Sequence, residues 1–194
     1  MRIVLASRSP RRKELLSLLG VDFKVASASV DETIDKRLPV IDEIKRLSYD
    51  KAKAVQAQTE KNDLIIAADT VVALGSCVFG KPQDSNEAIK MLKKLSGKTH
   101  RVITSVTVLC GDRVDTRAAV TEVTFRELSD IEIEAYIKTG DPFDKAGAYA
   151  LQGISSIFVS GISGDHFNVY GLPLAILADM LRNFGVRILG EKYA

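Results

Sequence analysis

Residues Ser7 to Leu16 read SRSPRRKELL, and their types and order fit one chemistry, the holding of a phosphate-sized anion. Ser9 followed by Pro10 has the order of a helix N-cap and first helical residue, so a helix is expected to begin at Pro10. Arg11, Arg12 and Lys13 then fall in its first turn. There, unpaired backbone N–H groups and the helix dipole already concentrate positive charge, and acidic residues are preferred. Three cations in that turn repel one another unless an anion joins them, and N–H donors with guanidinium forks converge on such an anion. The alternative is an exposed basic turn leading into an amphipathic helix whose Leu15, Leu16, Leu18 and Leu19 face the core.

Phosphoryl chemistry at such a cradle needs further cations, carboxylates for a divalent metal, and a base to activate water. Asp69 sits within IIAADTVVAL, apolar on both sides, where a carboxylate is desolvated unless a cation or metal compensates it. The same residue would equally serve as a strand-end Asp that caps a turn. Asp31 and Glu32 form an acidic pair that on its own reads as an exposed loop. Lys51, Lys81 and Lys145 each lie beside a polar or glycine-containing turn. For each alone, a solvated surface position is the ordinary reading. DPFDKAGAYALQG combines the charged pair Asp144 and Lys145 with Gly140, Gly147 and Gly153 around it, which suits a loop approaching a ligand closely or a turn-rich connection. His100 and His166 support no histidine-based mechanism, and GKP lacks the glycine and hydroxyl spacing of a P-loop.

The elements that must position these residues are legible in outline. Ile3 to Ala6 reads as a strand before the basic turn, and Asp22 to Ser29 as a second one that leads into the polar loop SVDETIDKRLP. Ile41, Ile44, Leu47 and Val55 recur at helical spacing, giving a helix from Pro39 to about Gln58 that carries Lys51. Leu64 to Leu74 is a β-prone run interrupted only by Asp69 and Thr70, and Gly75-Ser76 turns it back through Cys77 to Gly80. Asp84 with Glu87 and Ser129 with Glu132 are capping boxes, and their helices stop at Gly97 and Gly140. His100 to Cys110 and Arg113 to Phe125 meet at Gly111-Asp112, a hairpin signal. Ser156 to Ser160, Phe167 to Tyr170 and Val186 to Leu189 read as short strands, with a helix from Pro173 to Gly185 before the last. Hairpins mixed with helices argue an α/β fold with a mixed sheet.

Over 194 residues, 46% hydrophobic and 27% charged, the chain has the composition of one globular domain. Its 27 basic and 25 acidic residues leave a net charge of +2, too little for a wide nucleic-acid footprint. Charge is concentrated instead, with five cations and one acid in residues 1–20. Cys77 and Cys110 read as buried thiols of a reducing compartment. The apolar run near the start is short for a signal peptide and no span has membrane length, so a cytoplasmic protein without membrane association is expected.

SRSPRRKELL resembles the opening signature of the Maf family, septum-formation proteins that act as nucleoside triphosphate pyrophosphatases. The similarity continues through Asp31-Glu32, DKAKA with Lys51, AADTVV with Asp69, GKP with Lys81, SGKTHRVITSV, TGDPFDKAGAYALQG and GDHFNVYGLPL. Arg8 departs from it, standing where relatives often carry a small residue. The resemblance implies an elongated mixed sheet flanked by helices, with two lobes and a central cleft, like inosine triphosphatases. It implies Asp69 as proton acceptor, Glu32 as a further catalytic residue that binds metal or positions water, and Mg²⁺ or Mn²⁺ held by Glu32 and Asp69. Ser7, Arg11, Arg12, Lys51, Lys81 and Lys145 are then phosphate ligands. Arg11, Thr70 and Gln152 match the subgroup that acts on dTTP and UTP. A glutamine amide can pair with the O4 and N3–H edge that thymine and uracil share. A small-molecule triphosphate partner and a homodimer follow from the same resemblance. The alternatives are a 7-methyl-GTP pyrophosphatase and a nucleotide-binding regulator of septum formation without catalysis.

Overall fold

The computed structural model describes residues 1–35 and 37–189. The chain divides into two compact units, one of Met1–Asp69, Thr104–Ala119 and Gly171–Ala194, the other of Thr70–Ile103 and Val120–Tyr170. Among the described residues, β1 (Ile3–Ala6), β2 (Phe23–Ala26), β3 (Leu64–Leu74), β5 (Thr99–Cys110), β6 (Arg113–Phe125) and β7 (Val159–Ser163) form one sheet in the order β2-β1-β3-β5-β6-β7. A further strand, β4 (Cys77–Phe79), pairs with β3. The sheet is mixed, as expected: β1 runs parallel to β2 and β3, while β4 and β7 run antiparallel to their partners.

In the first unit β1 lies between parallel neighbours, Ile3 standing opposite both Phe23 and Leu64. A strand so placed is covered on both faces, which is why IVLA is apolar without alternation and buried throughout. Helix α1 (Pro10–Ser17) leads from β1 to β2, and α2 (Val40–Gln56) follows β2. Ala52 and Val55 of α2 pack with Val4, Ala6, Ile65, Ala67 and Leu109. A line of buried hydroxyls crosses the same unit. Ser48 Oγ shares 2.9 Å hydrogen bonds with Ser105 Oγ and Thr107 Oγ1, and Thr107 continues to Thr116. Buried hydroxyls must find partners, so this line fixes how α2 is turned against the strands.

In the second unit β3 turns back through Gly75-Ser76 into β4, with Leu74 opposite Cys77. Helix α3 (Ser85–Leu95) is capped by Asp84, whose side chain accepts the Glu87 N–H at 2.7 Å. Glu87 itself reaches past the cap to the Gln83 N–H, one residue from the expected box. Helix α4 (Asp130–Lys138) has the full Ser129–Glu132 box. Tucked beneath them, Phe125, Tyr149, Phe158 and Tyr136 meet edge to face, and His100 joins through Tyr149.

Several local expectations fail for identifiable reasons. α1 ends at Ser17, so Leu18 caps it pointing outward at 64% exposure, while Leu15 and Leu16 are buried. Cys77 is exposed because β4 is a short outer strand, and Cys110 is half-buried, so neither is the buried thiol expected. Phe167 to Tyr170 is no strand: Asp165 accepts the Phe167 N–H and starts helix α5 (His166–Val169). The strand expected from Ser156 begins at Val159, after a 3₁₀ segment over Ile154–Phe158. β7 then pairs with β6 across a register shift at Thr124/Phe125. Helix α6 (Leu174–Asn183) appears as expected, but Val186 to Leu189 forms no strand. No helix among the described residues is long and apolar enough to cross a membrane.

His100 is almost wholly buried and its Nε2 lies 2.7 Å from the Tyr149 hydroxyl. Burial brings its pKa down to about 4, against a smaller upward pull from the Lys98 backbone. The unfolded chain therefore binds a proton near pH 6.5 that the folded protein refuses until about pH 4. Stability measured by urea denaturation should hold above pH 6.5 and fall by about 3 kcal/mol on acidification to pH 4. His100→Gln should flatten the part of that slope above pH 5.

Candidate active site

The first unit assembles most of the predicted residues. Ser9 caps α1 by accepting the Arg12 N–H at 3.5 Å, Pro10 opens the helix, and no acid occupies its first turn. Ser7 is buried, and its Oγ accepts the Ser9 N–H at 3.1 Å, so it shapes the turn that precedes the cations. Arg12 lies at the helix start, but its fork is largely committed to backbone. Nη1 donates to the Ala68 carbonyl at 2.7 Å and Nε to the Gly171 carbonyl at 2.8 Å. Arg12 thus anchors the residue immediately before Asp69. Burial lowers its pKa and Arg11 adds to that, while the fields of Asp69 and Glu32 raise it. A guanidinium remains charged under any such balance.

Lys51 is the centre of the group. Its ammonium pairs with Asp69 and, at 2.7 Å, with Glu32 Oε1. Lys51 and Asp69 are mostly covered, whereas the Glu32 side chain is 60% exposed. Ser48, one turn earlier on α2, fixes the helix through Ser105 and Thr107 and so aims Lys51. Glu32 is aimed by residues that sequence reasoning missed. Arg46 donates to the Thr33 carbonyl at 2.9 Å, and buried Glu43 accepts the Asp35 N–H at 2.8 Å while pairing with Arg46. That pairing holds the Glu43 carboxyl below the usual range. In sequence Glu43 is an acid in the first turn of α2, and its i,i+3 spacing to Arg46 is the one local signal of the pairing. Asp31 has a local task, accepting the Thr33 N–H at 2.9 Å.

In the second unit Lys145 is buried, donating to the Asp141 carbonyl at 2.5 Å and Asp144 Oδ1 at 2.6 Å. Lys81 is exposed. The two lysines are tied together by backbone, since the Gly147 N–H donates to the Gly80 carbonyl at 3.0 Å. Gly147 has φ +69°, and a Cβ there would stand 2.8 Å from Val72, so only glycine lets the loop lie this close to β3. Thr70, next in the chain after Asp69, is half-buried, as is Gln152.

Among the described residues no three His, Cys, Asp or Glu side chains gather as a ready metal cage. Glu32 and Asp69 meeting on one ammonium nevertheless form a pair of hard oxygen donors facing a cation. That set suits Mg²⁺ or Mn²⁺, ions that use one or two carboxylates and complete their shell with phosphate oxygens and water.

The family described as "Maf-like protein" matches residues 2–184. A protein of Desulforamulus reducens named dTTP/UTP pyrophosphatase is 47% identical over 190 residues, covering 96% of this chain and 98% of that one. One of Alkaliphilus oremlandii with the same name is 48% identical over 191 residues, covering 97% and 99%. The solved structure of the Staphylococcus aureus Ham1 protein matches with a TM-score of 0.54 at 15% identity, covering 95% of this chain and all of that one, a likeness of fold.

If Arg12 is chiefly a tie between backbone carbonyls, a lysine cannot replace its fork. Arg12→Lys should lower the unfolding free energy in urea by about 2 kcal/mol. Lys13→Ala, one exposed residue further on, should leave the midpoint unchanged.

Proposed function

This chain belongs to the Maf family, and from that membership we infer that it is a nucleoside triphosphate pyrophosphatase that converts dTTP and UTP to the monophosphate and pyrophosphate. The observation that carries the reading is Lys51 set between Glu32 and Asp69, beside a helix start loaded with cations. A protein that only held phosphate would gain nothing from two carboxylates there, because they repel the ligand.

In this reading a triphosphate draws Lys51 toward its own oxygens, together with Ser7, Arg11 and Arg12. Lys81 and Lys145 are assigned to the phosphates as well. Once its ammonium partner turns to phosphate, Asp69 accepts a proton from water as the water oxygen bonds to the α phosphorus. The bond from that phosphorus to the α–β bridging oxygen breaks, and pyrophosphate leaves with the electron pair. Glu32 and Asp69 would hold Mg²⁺ or Mn²⁺, which supplies neutralisation of phosphate charge when bound. Arg11, Thr70 and Gln152 are assigned to the pyrimidine edge, which a site built to hydrogen-bond it reads strongly. Removal of surplus or non-standard nucleotides in the cytoplasm, by a homodimer, completes the proposal.

The test is pyrophosphate release from dTTP, UTP, CTP, GTP and 7-methyl-GTP, with Mg²⁺ and with EDTA. Metal-dependent release from dTTP and UTP is expected, and Asp69→Asn should reduce kcat by about 10²–10⁴-fold while nucleotide binding persists. Turnover of 7-methyl-GTP instead would overturn the pyrimidine assignment. Tight binding with no turnover of any nucleotide would make the protein a regulator.

A further inference from the structure

Ser155 is fully buried, and its hydroxyl does two things at once. It accepts the Ala150 N–H at 3.1 Å and donates to the Ala150 carbonyl at 3.0 Å. Both polar groups of one residue are thereby satisfied by a single side chain five positions later, which closes the segment between them into a small ring. Gln152 lies in the middle of that ring.

The rest of the segment is equally constrained. Leu151 packs against the aromatic core of the second unit, and the Ser156 N–H donates to the Gly153 carbonyl at 3.2 Å. Gly153 has φ +83° and ψ −165°, a conformation open essentially to glycine alone. A Cβ at Gly153 would come 3.3 Å from Asp141 Oδ2, and Asp141 is the residue whose carbonyl receives Lys145. On the other side, Ala148 is completely buried at φ +64°, a left-handed conformation that costs a non-glycine residue free energy. Tyr149 is held by His100. In the midst of this, Gln152 is half-exposed and among the described residues makes no hydrogen bond of its own. A strained, fully tied frame around one uncommitted amide is the arrangement expected where that amide must meet a ligand in a fixed place.

We propose that Ser155 is a positioning residue for base selection: by tying both polar groups of Ala150 it fixes the loop that presents Gln152 to the pyrimidine. The inference rests on the assignment of Gln152 to the base edge made above. A glutamine amide meets the O4 and N3–H edge of thymine only where the loop sets it at hydrogen-bonding distance. Discrimination against a purine, whose larger ring system puts its polar edge elsewhere, therefore depends on how firmly the backbone beneath the amide is held. A loosened loop lets the amide draw back and admit guanine.

The experiment compares kcat/KM for dTTP and for GTP in wild type, Gln152→Ala, Ser155→Ala and Gly153→Ala, each checked for folding by circular dichroism. The ratio of the two values is the readout, because a variant that merely reduces the folded fraction lowers both alike. Gln152→Ala should reduce the dTTP preference by about 10–100-fold. Ser155→Ala should reduce it several-fold, mostly by raising kcat/KM for GTP relative to dTTP. Gly153→Ala perturbs the same ring from its exposed side and should act in the same direction. It decides the matter if Ser155→Ala does not fold. A ratio that collapses in Gln152→Ala but stays at the wild-type value in folded Ser155→Ala and Gly153→Ala overturns the role of Ser155. A ratio unchanged in Gln152→Ala overturns the base assignment itself, and the inference with it.

Discussion

Glu32 and Asp69 carry like charges, and bringing them together in a partly covered place is unfavourable unless a cation stands between them. Lys51 supplies that cation from α2, a helix whose position is otherwise set by apolar packing and by Ser48. The arrangement makes demands on everything around it. β3 must deliver Asp69 out of an apolar run, which Arg12 secures at the preceding carbonyl. The loop after β2 must deliver Glu32, which Glu43 and Arg46 secure from the same helix that carries Lys51. One helix therefore provides both the central ammonium and the mooring of one of its two partners.

Charge is organised around this lysine in two layers. Closest in, Lys51 offsets one of the two carboxylate charges and leaves the cluster negative by the other. Around it, the first turn of α1 carries Arg11 and Arg12 and lacks any acid. Such a place attracts a polyanion at the helix start, while the excess carboxylate charge beside Lys51 favours a cation arriving with it. Salt would weaken the outer layer more than the inner one, since screening acts most on exposed charges.

Elements announced by local chemistry were legible in the sequence. Ser9-Pro10 marks the start of α1, Gly111-Asp112 the β5–β6 turn, and Ser129 with Glu132 the start of α4, each because the signal and the structure lie within a few residues. The run from Leu64 to Leu74 was legible because a strand buried on both faces has no alternation to misread. What failed was decided at longer range or by a competing local signal. Cys77 is apolar enough for a core yet falls on an outer strand, and FNVY has strand-like residues that the Asp165 cap draws into a helix. Within the site, the separate residues could be named through the family resemblance. The pairing of Lys51 with Asp69 across eighteen positions, and the use of Arg12 as a backbone tie, could not, because neither follows from spacing.

The division of the chain has a consequence for how it is made. A ribosome releases residues in order, yet the first unit draws on the beginning of the chain, on Thr104–Ala119 and on the stretch from Gly171. The second unit has all its residues once Tyr170 has emerged. The unit that contains β1 and α1 is thus completed after the second one, and Arg12 waits for Gly171, 159 positions later. During synthesis the early β1 and α1 segments must remain soluble while incomplete. A chain that stalls before residue 171 would carry a finished second unit and an unfinished setting for Glu32, Lys51 and Asp69, a species for chaperones and proteases to recognise.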